Sequence, residues 1–292
     1  MSSPFRTLLS GLFLAIGVGL ATAQPCESPR VIHVSLIPKK SSEIQGAEYQ
    51  PLLKALESTL KQPVELVEGS SYGAVIEGLL AGSIDLAELG PASYAQAKAR
   101  DNRITAFASM IQRKGPNTES GDSYRSLLLV RSDKKFSGLP SLRGHSLSLI
   151  DPASTSGALI PRQAIVKLTG TPLEQYFGRI TFAGSHDRAI QAVQKGLVDA
   201  AFVSSSRLDE ALRSGSVRAD ELQVLWKSSP MPYDPFVYRG QLCQPLIDKI
   251  KQAFFQSGTT LQDMFRGMNG EGFTHVSDDQ YREIREVYGN QP

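Results

Sequence analysis

The amino-acid sequence predicts an α/β protein of two lobes, each with its own sheet, a ligand cleft between them and two strands crossing over. Three observations predict it. Strand-like and helix-like stretches alternate along the chain, a pattern that builds sheets covered by helices. Two segments also align without gaps: "VIEGLLAGSIDLA" (75–87) and "AIQAVQKGLVDAA" (189–201) share apolar-x-x-apolar-x-x-Gly-x-apolar-Asp-x-Ala. In each, an amphipathic helix closes on a glycine and a short buried strand follows at once. Finally, "YRSLLLVRS" (124–132) and the proline-rich "LQVLWKSSPMPYDPFVYR" (222–239) read as extended connections between two such units.

In order, "RVIHVSLI" (30–37) reads as a strand. "YQPLLKALESTLKQ" (49–62) reads as a helix with Pro51 near its start and Leu52, Leu53, Leu56 and Leu60 on its apolar face. "PVELVEG" is a strand, the first repeat adds a helix and a strand, "GPASYAQAKAR" opens a helix and "ITAFASMI" is a further strand. "GHSLSLI" (144–150) begins the second lobe. Leu246, Ile250, Phe254, Tyr281, Ile284, Val287 and Tyr288 recur at helical spacing and return the chain to the first lobe. Lobe 1 therefore comprises residues 24–125 with 230–292, and lobe 2 residues 126–229.

The N-terminus carries Arg6, an apolar run from Leu8 to Leu20 and the small-x-small Ala21-Thr22-Ala23. This is the pattern of a secretory signal peptide over residues 1–23, because the run is short of the roughly 20 residues a membrane span needs. Gln24-Pro25 before Cys26 is not a lipoprotein signal, so a soluble exported protein is expected. Without the leader, 30 of the 31 Lys and Arg face all 29 Asp and Glu. That balance speaks against nucleic-acid binding. Cys26 and Cys243 are the only two cysteines, and in an oxidising compartment they can form one intramolecular bridge.

Ligands of open α/β sheets bind beyond the carboxyl ends of the strands, here the interlobe cleft. "SLIDPASTSGALIPRQAIVKL" (148–168) sits at such an end. Ser154, Thr155 and Ser156 supply hydroxyls, Gly157 permits close backbone approach, and the unpaired N–H groups of the next helical turn favour an oxyanion. Capping needs one hydroxyl, not three. Pro161 must kink this helix or confine it to a short first turn. His186, in "FAGSHDRAIQAV", starts the helix of the second repeat at the same sheet end. In lobe 1, Tyr94 in the first turn after Gly90-Pro91 and Tyr49 before Pro51 offer phenol donors. Asp234 lies on the stiffened second crossing.

The segments "YQPLLKALE", "IEGLLAGSIDLAELGPASYAQA", "DPASTSGALIP", "GSHDRAIQAVQKGLVDAA" and "WKSSPMPYDPFVYR", in order over about residues 31–240, resemble the substrate-binding proteins of phosphonate, phosphite and phosphate ABC transporters. The resemblance implies a type II periplasmic-binding fold that closes on its ligand by a hinge, periplasmic location, and ABC permease subunits as partners. It implies that the Ser-Thr-Ser turn, His186, Tyr49 and Tyr94 hold a phosphorus oxyanion. Asp234 lies where aminophosphonate binders contact the amine. Those binders also carry a glutamate where this chain reads "VSSSR" (203–207), which favours phosphite, a small alkylphosphonate or another compact oxyanion.

Other classes are weaker. No Gly-x-Ser-x-Gly turn is present, and His186-Asp187 adjacency is a poor relay, so a hydrolase is not expected. The four histidines are scattered and no Cys pair has ligand spacing, so no metal and no cofactor is expected. A stand-alone periplasmic sensor for the same kind of ligand would carry the same site.

Overall fold

A computed structural model describes residues 26–289; the signal-peptide reading of residues 1–23 lies outside them. The chain opens with strand β1 (Ile32–Leu36), helix α1 (Ser42–Leu60), β2 (Val64–Glu68), α2 (Tyr72–Ala81), β3 (Leu86–Glu88), α3 (Pro91–Arg100) and β4 (Thr105–Gln112). A two-residue strand β5 (Ser123–Tyr124) precedes the second sheet. That sheet is built from β6 (Ser126–Arg131), β7 (Ser146–Leu149), α4 (Ile160–Thr169), α5 (Leu173–Tyr176), β8 (Arg179–Phe182), α6 (His186–Gln194), β9 (Ala200–Ser204), α7 (Ser205–Arg213) and β10 (Leu222–Lys227). The chain returns through β11 (Met231–Pro232) to β12 (Pro235–Tyr238), α8 (Gln244–Phe255), α9 (Gln262–Gly267), β13 (Gly270–His275) and α10 (Arg282–Gly289).

The first sheet has strand order β13-β4-β12-β3-β1-β2, the second β10-β6-β9-β7-β8. Parallel pairs β1–β2, β1–β3, β7–β8 and β7–β9 form the heart of each lobe. The crossings themselves pair, with Met231 opposite Tyr124 and Pro232 opposite Ser123, so the two connections form a short antiparallel ribbon between the sheets. Apolar residues of α1, α8 and the first sheet pack together around Leu52, Leu56, Phe236 and Phe254. In lobe 2, Leu128, Val130, Leu147, Leu149 and Phe202 form a separate cluster. Among the described residues no helix is long and apolar enough to cross a membrane.

The repeats have a shared construction. Gly82 adopts a left-handed φ of 77° after α2, and Gly196 a φ of 69° after α6. Asp85 then accepts the backbone N–H of His33 on β1, and Asp199 accepts that of Ser146 on β7. In both lobes the aspartate therefore ties the repeat to the amino end of the neighbouring parallel strand. Asp85 is deeper, and Arg239 holds it at 2.8 Å.

Helix α1 differs from the sequence expectation. It starts at Ser42, well before Tyr49, and contains Pro51 in its interior. Pro51 removes one helical hydrogen bond, but the helix buries Leu52, Leu53 and Leu56 on one side, and that packing holds it together. Pro161 is accommodated in another way. Residues Thr155–Leu159 form a wide turn in which Leu159 N–H donates to Ser154 O and Ile160 N–H to Thr155 O, each five residues back. The regular helix α4 starts after it, so Pro161 falls in the first turn, where its missing N–H costs nothing.

Cys26 and Cys243 are bonded to each other with their Cα atoms 4.8 Å apart, across 217 residues of chain. Glu27 bridges Leu242 beside them, so the start of the described chain is fastened to the start of α8. Replacing both cysteines by serine should lower unfolding stability by about 2–4 kcal/mol, the usual scale for a disulfide closing a long loop. Urea denaturation of the double variant, or of the reduced protein, measures it; an unchanged midpoint contradicts the expectation.

Candidate functional site

The carboxyl ends of the parallel strands converge on a small cavity between the lobes. Lobe 1 contributes Ile37 and Lys39 after β1, Tyr72 after β2 and Gly90 after β3. Lobe 2 contributes Ser154, Thr155 and Ser156 after β7, His186 after β8, and Ser204, Ser206 and Arg207 around the end of β9. Tyr124, Tyr233 and Asp234 enter from the two crossings. All of these side chains come from strand-to-helix turns or the crossing ribbon, where backbone geometry brings them to one point.

The serine-threonine turn serves both readings of its sequence. Ser154 is a cap: its Oγ accepts Gly157 N–H at 3.1 Å. Thr155 Oγ1 accepts Ala92 N–H from lobe 1 at 2.8 Å, which leaves its own proton to donate. Ser156 holds the turn through its carbonyl, which accepts Ser126 Oγ at 2.6 Å. Gly157 does not line the cavity. Its role is steric, because a Cβ there would stand 2.1 Å from Ile150 Cγ1.

His186 begins α6 behind the cap Ser185. Its Nδ1 accepts Ser204 N–H at 3.1 Å, so the neutral ring carries its proton on Nε2 and can donate it. Burial, then the nearby charges of Arg207 and Lys39, hold its pKa down to about 3. The imidazole is therefore a neutral donor at physiological pH.

Two of the expected donors are elsewhere. Tyr94 does not reach the cavity: its hydroxyl donates to Asp278 at 2.9 Å and its ring packs edge-on to Tyr281. Ala92 and Ser93 of α3 are the residues that touch lobe 2, through Thr155 and Ala153. One step of about 100° around the helix turns Tyr94 toward the C-terminal segment instead. Tyr49 also lies behind the wall, because the early start of α1 places it within the buried face of a long helix. Its hydroxyl donates to Glu88 Oε2 at 2.8 Å. That same oxygen lies 2.7 Å from Lys39 Nζ, so Tyr49 supports the cavity at one remove.

The lining tyrosines are Tyr72, Tyr124 and Tyr233, and the sequence held a signal for the first. The repeats are offset by 114 positions, and extending them upstream matches the caps Ser71 and Ser185 and then Tyr72 and His186. These equivalent positions face the same cavity from opposite lobes. The Tyr72 hydroxyl is buried with no protein hydrogen-bond partner. Tyr233 adjoins Asp234 in the quoted proline-rich stretch, and burial raises its pKa to about 12. Lys39 and Arg207 were also missed: neither sits in a motif, and both reach the site on long side chains.

Lys39 is buried, with Nζ 2.7 Å from Glu88 and 3.4 Å from Asp234. Burial opposes its charge, but Glu88, the Tyr49 and Tyr233 hydroxyls and Asp234 hold its pKa well above the usual lysine value. Arg207 pairs with Asp187 at 2.7 Å and with Glu210, while its Nε has no protein partner.

The lobes touch directly. Tyr72 N–H donates to Asp151 at 3.2 Å, Ser93 Oγ to Ala153 O at 2.9 Å, and Asn117 to the Asp209 carboxylate. Lys40, next to Lys39, is clamped between Glu48 of its own lobe and Glu210 of the other. Its side chain is 2% exposed.

The sequence of residues 34–281 matches the family model described as "ABC transporter, phosphonate, periplasmic substrate-binding protein". The chain belongs to this family. The "Phosphate-import protein PhnD" of Mycolicibacterium smegmatis is 31% identical over 252 residues, 84% of this chain and 76% of that protein. The "Phosphonates-binding periplasmic protein" of Escherichia coli is 28% identical over 274 residues, 92% of this chain and 79% of that protein. Among solved structures, a binding protein component of an ABC phosphonate transporter from Pseudomonas aeruginosa superposes with a TM-score of 0.81 at 24% identity. It covers 89% of this chain and 86% of its own. PhnD1 from Prochlorococcus marinus in complex with methylphosphonate gives 0.76 at 20% identity, over 89% of this chain and 97% of its own. The two-lobed binding-protein fold is thus shared.

Two outcomes test this geometry. His186→Ala should weaken ligand binding at least about tenfold, the 1.4 kcal/mol scale of one lost charge-assisted hydrogen bond. Titration calorimetry reads it, and unchanged affinity in a folded variant removes His186 from the site. Glu210→Gln should break the Lys40 clamp and shift the ligand-free protein toward an open form. Small-angle scattering should then give a larger radius of gyration, with binding weakened about fivefold or more; an unaltered radius and affinity would show that the clamp plays no part in closure.

Proposed function

We propose that this chain captures a small phosphorus oxyanion, phosphite or a small alkylphosphonate, in the periplasm and delivers it to the permease of an ABC transporter. The observation that carries this reading is the small interlobe cavity whose walls combine hydroxyl donors, a neutral imidazole and two cations. Ser156, Thr155, Tyr72 and His186 supply directional donors, and Lys39 and Arg207 supply positive charge. Closure removes water from around these groups and so strengthens each contact with an anion. The protein does no chemistry on the ligand: it binds, closes and releases.

The phosphorus class rests on the family and on relatives named for phosphate import and for phosphonates. Within that class, the wall formed by Ser204, Ser206 and Arg207 argues against a ligand bearing an ammonium group. A serine hydroxyl cannot match an ammonium charge, and the carboxylates nearest this wall, Asp187 and Glu210, are already paired with Arg207.

Titration calorimetry of the mature protein against phosphite, methylphosphonate, phosphate, 2-aminoethylphosphonate and sulfate tests the reading. Micromolar or tighter binding of a simple phosphorus oxyanion is expected, with 2-aminoethylphosphonate at least about tenfold weaker. Preference for 2-aminoethylphosphonate would refute the argument from the serine wall, and no phosphorus ligand at all would refute the ligand class.

A further inference from the structure

One cavity group is at odds with simple anion capture. Asp234 lines the cavity and is 7% exposed. A carboxylate in the wall of an anion site repels the ligand unless a proton stands between them. Its surroundings cancel its charge only in part. Lys39 is nearest, but its one ammonium lies 2.7 Å from Glu88 and 3.4 Å from Asp234, so it serves two carboxylates and favours the other. The remaining titratable groups around Asp234 are Tyr233 beside it, Tyr72 from α2, Tyr124 from β5 and Tyr281 from the C-terminal segment. Across the cavity stand His186 and Arg207, the latter already paired with Asp187 and Glu210.

We propose that Asp234 reads the protonation state of the ligand: the closed complex holds one proton shared between its carboxylate and a ligand oxygen. The cavity then accepts oxyanions that carry a proton near neutral pH, as phosphorus oxyanions do, and rejects sulfate and sulfonates, which carry none. This rests on the phosphorus-oxyanion reading above and adds the chemical reason for the class.

The other lining groups do not supply this behaviour. His186, with its pKa near 3, stays neutral, and Tyr233, near 12, stays protonated. Lys39 keeps its charge. Burial pushes Asp234 up to about 6, with Lys39 opposing and Glu88 assisting. That places it beside the second ionisation of a phosphate ester, about 6. At a pH above both ionisations, the free carboxylate and free dianion must take up one proton to form the complex. Affinity therefore falls toward tenfold per pH unit in that range.

Calorimetry in two buffers of different ionisation enthalpy counts the protons. Phosphite, methylphosphonate and sulfate are titrated from about pH 7 to 9 against wild type and Asp234→Asn. The expected result is uptake approaching one proton per phosphorus ligand at the alkaline end, declining affinity there, and no sulfate binding. In Asp234→Asn, whose amide can donate without a proton from solvent, uptake and decline should vanish and sulfate should bind. Wild type that binds phosphite or methylphosphonate without proton exchange overturns this proposal alone, as does a folded Asp234→Asn that keeps both the uptake and the decline. Wild type that binds neither phosphorus compound overturns the ligand class and this proposal together. If Asp234→Asn does not fold, the wild-type proton count and its response to sulfate still decide.

Discussion

The buried ammonium of Lys39, shared by Glu88 and Asp234, is the interaction on which the candidate site depends. Charge out of water is stable only with opposite charge and hydrogen bonds around it, so each partner must be held in place. Tyr49 holds Glu88 from the middle of α1, and Ser109 holds the Asp234 backbone carbonyl from β4. The first lobe therefore presents a rigid, charged floor, set by its own core rather than by the ligand. Lobe 2 supplies mostly neutral donors on turns, and the two halves of the site have different physical characters.

The charged side of the cavity is also wired to the contact between the lobes. Lys39 faces the cavity while its neighbour Lys40 reaches across to Glu210, and Glu210 also pairs with Arg207, which lines the cavity from lobe 2. Residues adjacent in the chain, or paired through one carboxylate, thus meet both the cavity and the opposite lobe. The backbone N–H groups of Tyr72 and Ala92 and the Ser93 hydroxyl add direct hydrogen bonds between the lobes beside these ion pairs.

Much of this architecture is legible in the sequence, because it rests on local rules. The helix-glycine-strand repeat, the serine-threonine turn and the proline-stiff crossing each leave a compact pattern, and the turns that carry Ser154, His186 and Asp234 were found from them. Tyr49 and Tyr94 misled for a geometric reason. Proximity in sequence to a strand end does not decide which side of a helix a residue occupies, and a shift of helix start or one helical step moves a phenol from the cleft to the core. Lys39 and Arg207 were illegible for a different reason: their place depends on carboxylates distant in sequence, such as Glu88 for Lys39 and Asp187 for Arg207.

The bond between Cys26 and Cys243 gives the molecule an unusual covalent shape. Everything from one cysteine to the other, including all of lobe 2 and both crossings, lies within a single closed ring. A peptide bond cut anywhere inside that ring opens it without dividing it. A nicked copy therefore stays one molecule, both halves of its cavity still attached, until the disulfide is reduced.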